Sequence, residues 1–137
     1  MPQESHRPPE GRDPDVPFEI VWQPPLTRRM SDRSICRIVR QMVSELLLLL
    51  GDRVMVRRDR RRLACHVRQI SMYVCHVALR MPQQDIGVAF GRDRTTVSHA
   101  CHVVEDRRDD RIYDEFVSAV ERIVVAVFAS GEVSGHD

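Results

Sequence analysis

Arg92-Asp93-Arg94-Thr95-Thr96, with Ser98 two places on, concentrates two guanidinium groups, one carboxylate and three hydroxyls in a single short stretch. That mixture suits the edges and rails of a nucleic-acid duplex better than a covalent reaction. An Arg forks onto guanine O6 and N7, an Asp accepts from cytosine N4, and a Thr methyl packs on a thymine methyl. The hydroxyls of Thr96 and Ser98, with the amides of a helix's first turn, suit phosphate oxygens. Asp93 also has a purely structural use, as the cap of a helix beginning at Arg94. Upstream lies Arg57-Arg58-Asp59-Arg60-Arg61-Arg62. Arginine-rich loops beside a helix pair enter the minor groove, whose narrow A·T stretches concentrate negative potential. On its own the run reads equally well as a solvated charged segment.

Other chemistry is weakly supported. Three Cys-His dipeptides occur, at 65–66, 75–76 and 101–102. Neighbours on a helix point about 100° apart, and none of these pairs has the spacing that zinc sites favour. Packed thiols with surface imidazoles are expected, and neither a metal nor a cofactor. No strained turn or oxyanion glycine accompanies any Cys, so an enzyme is not expected either. The four Cys form no C-x-x-C pair, which argues for reduced thiols and against a disulfide framework.

The elements that would hold the stretch at Arg92–Ser98 follow from periodicity. Ile35, Val39, Met42, Leu46 and Leu50 predict an amphipathic helix from Ser31 or Asp32 to Gly51. Leu63, Val67, Ile70, Val74 and Val77 predict a second, from 63 to 79, stopped by Met81-Pro82. A short helix with Ile86, Ala89 and Phe90 inward closes at Gly91. The next starts at Arg94 and faces inward with Val97, Ala100, Cys101 and Val104. Ile112, Phe116, Val120, Ile123 and Val127 form a last helix, ended by Ser130-Gly131. The expected class is all-α, about five helices, with the short helix, glycine turn and following helix forming a helix-turn-helix.

At 137 residues the chain fits one domain plus tails. Residues 30–130 read as that domain. Residues 1–29, which hold seven of the eight Pro, and 131–137 read as disordered tails. Within the first, Phe18, Ile20, Val21 and Trp22 could dock as a short extended piece. No apolar signal or spanning segment is found, so a cytoplasmic, nucleoid-associated protein with no membrane contact is expected. The formal charge of +1 hides segregation. From Arg53 to Arg94 there are ten Arg against three Asp, a net of +7, while Glu105 to Glu121 carries −4 and the first nineteen residues −3. All 21 basic residues are Arg. A basic centre between acidic ends suggests a face that meets a polyanion.

From Ser34 to Glu105 the chain resembles the C-terminal DNA-binding domain of the bacterial replication initiator, DnaA. The resemblance rests on Arg68-Gln69-Ile70-Ser71-Met72-Tyr73, on Asp85-Ile86-Gly87-Val88-Ala89-Phe90-Gly91, and on Arg92-Asp93-Arg94-Thr95-Thr96-Val97-Ser98-His99-Ala100-Cys101. It implies double-stranded DNA as partner, with Asp93, Arg94 and Thr95 on bases in the major groove. It also implies Arg68, Gln69 and Thr96 on phosphates and Arg60 in the minor groove, with Arg61 as rival register; Arg92 and Ser98 join the expected phosphate set by their own chemistry. His99 matches a family histidine, with packing as its expected role. Two departures stand out. The turn holds one glycine, Gly91, where the family has two, and Arg94 replaces a His. No G-x-x-x-x-G-K-[ST] string occurs in the sequence, so neither nucleotide binding nor ATP-driven assembly is expected of it.

The resulting expectation is a sequence-specific regulator, acting on transcription. Leu46, Leu47, Leu48 and Leu49, or the apolar C-terminal helix, offer a homodimer contact. The rival expectation is a protein-interaction module that keeps the initiator-like fold, for example to contact the initiator itself.

Overall fold

The computed structural model describes residues 30–54 and 62–128. They form five helices: α1 (Asp32–Val54), α2 (Leu63–Val77), α3 (Gln83–Phe90), α4 (Arg94–Arg107) and α5 (Arg111–Phe128). No strand occurs among the described residues. Both terminal tails, and Arg60 and Arg61, lie outside them.

The central helix is α2. His66, Val67 and every residue from Ile70 to Cys75 are buried, and α1, α4, α3 and α5 all pack on it. The buried Ser71 hydroxyl donates to the Val67 carbonyl (2.6 Å), which satisfies it inside the helix. The helix ends at Val77, two residues earlier than its pattern predicts. Arg80 adopts a left-handed φ of 60°, the chain reverses, and the Met81 amide donates to the Cys75 carbonyl (3.1 Å). Val77, expected inward, is exposed.

In α1 the buried residues are Ile35, Cys36, Val39, Val43 and Leu47. The expected stripe through Met42, Leu46 and Leu50 is therefore one position out; Leu50 is exposed, and Met42 and Leu46 are half-buried. Leu47 belongs to the core, which removes it from the proposed dimer contact. Contacts with α2, α3 and α5 select a broad face that drifts along successive i+4 steps. The helix also continues through Gly51 to the buried Val54; one such burial offsets the roughly 1 kcal/mol that a mid-helix glycine costs.

In α5 the inward face is Tyr113, Phe116, Val117, Val120, Val124 and Phe128. Ile112, Ile123 and Val127, expected inward, are exposed. The Asp110 carboxylate starts this helix by accepting from the Ile112 and Tyr113 amides (2.9 and 3.3 Å). His66 departs from the expected surface imidazoles, being 3 % exposed.

Candidate nucleic-acid interface

The corner between α3 and α4 is built by two glycines and one aspartate. Gly91 takes the left-handed conformation (φ 69°, ψ 33°), which L side chains adopt at a cost. Its amide reaches the Val88 carbonyl (3.2 Å), and the Arg92 amide donates to the Gly87 carbonyl (2.8 Å). Arg92 has no positive φ, so one left-handed residue suffices for the turn. Gly87 is buried in α3, and a Cβ placed on it would lie 2.6 Å from the Arg92 carbonyl oxygen. Sequence reasoning attached no role to this residue, although a glycine inside a short helical pattern signals close backbone approach.

Asp93 is extended (φ −85°, ψ 168°) and caps α4. Its Oδ1 accepts from both the Thr96 amide (2.8 Å) and the Thr96 hydroxyl (2.9 Å). These bonds hold the carboxyl below the usual aspartate range, the backbone one contributing most. The sign follows: the cap's stabilisation is present above the unfolded pKa and is lost as pH falls through the lowered folded value. We expect the Thr96 amide to stay protected from exchange at a pH where free aspartate is half protonated, and to lose protection at lower pH. Loss of protection at the ordinary aspartate pKa would contradict the capping geometry.

With the first turn fixed in this way, Arg92, Asp93, Arg94 and Thr95 form an unbroken exposed run at the start of α4. Thr96 and Ser98 are half-buried. The Thr96 hydroxyl already donates to Asp93, so toward a phosphate it must either release that bond or leave the contact to neighbouring groups. Arg68 and Gln69 are half-buried on α2, the helix against which α4 packs most extensively; the Arg68 Nη2 lies 3.7 Å from Cys65 Sγ. His99, expected to pack, is exposed. The exposed run thus sits at the start of α4, and Arg68 and Gln69 lie on the helix that α4 packs against.

Of the four thiols, Cys65 lies beside Arg68 and the other three are buried. Cys101 is pushed up to about 11 by burial and by Glu105. Cys75 is pushed up by its hydrogen bond with Cys36 and by burial, and the same bond lowers Cys36. Among the described residues no group of three His, Cys, Asp or Glu is placed to hold a metal ion. No described helix is long and apolar enough to cross a membrane.

The model of the family described as the bacterial dnaA protein helix-turn-helix matches residues 33–104, just over half of the chain. No curated protein and no solved structure matches it.

Proposed function

The chain belongs to the bacterial DnaA helix-turn-helix family, a DNA-binding fold, and from that premise we propose that it recognises a specific double-stranded sequence and regulates transcription from it. The observation that carries this reading is the exposed run Arg92–Thr95 on a first turn fixed by Asp93. In the proposed complex this end of α4 enters the major groove, where Asp93, Arg94 and Thr95 meet base edges. Arg68, Gln69, Arg92, Thr96 and Ser98 meet phosphates, and Arg60, or Arg61 in the alternative register, reaches the minor groove. Both bonds on Asp93 fall on Oδ1, so Oδ2 can accept from a cytosine amine. Arg94 supplies a cationic fork suited to guanine.

Selection of bound oligonucleotides from a random pool tests this directly, and a single recurring motif is expected. Arg94→Ala or Thr95→Ala should relax preference at one base position, with a loss of about 2 kcal/mol on the selected site and little change on others. Arg68→Ala should weaken binding to all sequences alike. Uniform losses in all three would remove the assigned roles.

A single module buries only about 600–1,000 Å² on DNA, so selective binding would need dimers or clustered sites. Leu48 and Leu49, 63 % and 79 % exposed, favour self-association, and they are also what the interaction-module reading would use. A salt series separates the two: DNA affinity falls by about 0.9 in log K per log salt for each phosphate engaged, whereas an apolar protein contact does not.

A further inference from the structure

One strongly charged feature takes no part in the reading above. Arg33, Arg37 and Arg40 recur at steps of four and three and so share a face of α1. All three are exposed, and none forms an ion pair with a described residue. Two open clefts flank them. One, of about 460 Å³, sets Arg37 and Arg40 against Leu63, Ala64 and Val67 at the start of α2. The other, of about 230 Å³, sets all three against Ala89 and Phe90 at the end of α3. Both boundaries adjoin the candidate DNA contacts in the chain: Phe90 is followed by Gly91 and Arg92, and Val67 by Arg68.

Three guanidinium groups within two helical turns repel one another unless an anion covers them. The apolar floor at Ala89 and Phe90 accommodates arginine stems while the heads remain in water. Charge complementarity, with adjacency in the chain to the start of α4 on one side and to Arg68 on the other, favours the same polyanion that those elements meet.

We propose that Arg33, Arg37 and Arg40 form a second phosphate-gripping edge, which holds the sugar-phosphate backbone beside the segment read by α4. The proposal rests on the DNA-binding reading and extends its footprint from α2 and α4 to α1.

The test is the salt dependence of binding by the full chain to a long random-sequence duplex. With two phosphates released, the triple variant R33Q/R37Q/R40Q should show a log–log slope shallower by about 2, and affinity roughly fiftyfold lower near 0.1 M salt. The triple Lys variant keeps the charges and should keep the slope. Removing Arg111 and Arg122 from α5 lowers the net charge elsewhere and should leave the slope unchanged. A wild-type slope in the Gln variant overturns the proposal; if that variant instead loses affinity for poly-glutamate, the groove belongs to an acidic protein segment. A wild-type chain that binds no duplex at all overturns the DNA reading as well, and does so before any variant is made.

Discussion

Gly87→Val is expected to destabilise the domain by about 3 kcal/mol and to abolish selective DNA binding, the upper end of what overpacking a core costs. A Cβ at this position would lie 2.6 Å from the Arg92 carbonyl oxygen, 3.3 Å from the Asp93 carbonyl carbon and 3.5 Å from the Arg94 nitrogen. Every one of these atoms is backbone, so no rotamer change relieves the contact. The α3–α4 corner must open, the Arg92-to-Gly87 hydrogen bond must lengthen, and the start of α4 must tilt. Gly91→Ala provides the contrast. Nothing lies within 4 Å of its Cβ, so the cost is the left-handed φ alone, about 1 kcal/mol. Urea unfolding and competition binding on both variants check the pair. A Gly87→Val protein as stable as its parent, selecting the same motif, would show that this corner does not set the approach of α4.

The start of α4 was legible in the sequence because capping is local: an Asp three residues ahead of Thr96 meets its amide with no help from the rest of the fold. The all-α class was legible for a similar reason, since the periodicity of each helix is written within its own span. The facing of α1 and α5 was not. Leu46 to Leu50 and Ile123 to Phe128 are apolar nearly all round, so periodicity has no polar side to orient against. Only packing against neighbouring helices decides that Leu47 rather than Leu46 is buried in α1, or that Val124 rather than Ile123 of α5 faces the core formed with α1 and α2. Gly87 escaped notice as a determinant because the atoms that require it belong to residues beyond the turn. The Arg33–Arg40 stripe escaped because its charge gains meaning only when the ends of α2 and α3 close around it. The Thr96 hydroxyl looked free for phosphate, yet the residue that caps the helix already accepts its proton.

Arg108→Ala should cost about 3 kcal/mol, at the low end for breaking a buried charge network, and lower the melting temperature by about 12 °C. Arg108 follows α4 and ties it to two other helices. Its Nε donates to Asp114, Nη1 to the Tyr73 hydroxyl and to Glu121 (both 3.2 Å), and Nη2 to the Ser118 hydroxyl (2.6 Å). The guanidinium carbon also lies 5.7 Å from the centroid of the Tyr73 ring. Burial works against the charge, but the hydrogen bonds that Arg108 donates to Asp114 and Tyr73, with the nearby Glu121, more than compensate and push the guanidinium's pKa up. Removing it leaves Asp114 and Glu121 without their shared counter-charge beside the Tyr73 hydroxyl. The 20 % exposure of Arg108 and 44 % of Asp114 admit water, which is why the low end applies. Arg108→Lys should recover less than half of the loss, because a point charge cannot span four acceptors that a planar fork meets together. Arg108 caps the far end of α4 from Asp93, so below its melting temperature the Ala variant should select the same DNA motif as the parent. A shifted motif would mean that the clamp orients α4 on the duplex, and an unchanged melting temperature would mean that the network contributes nothing to the fold.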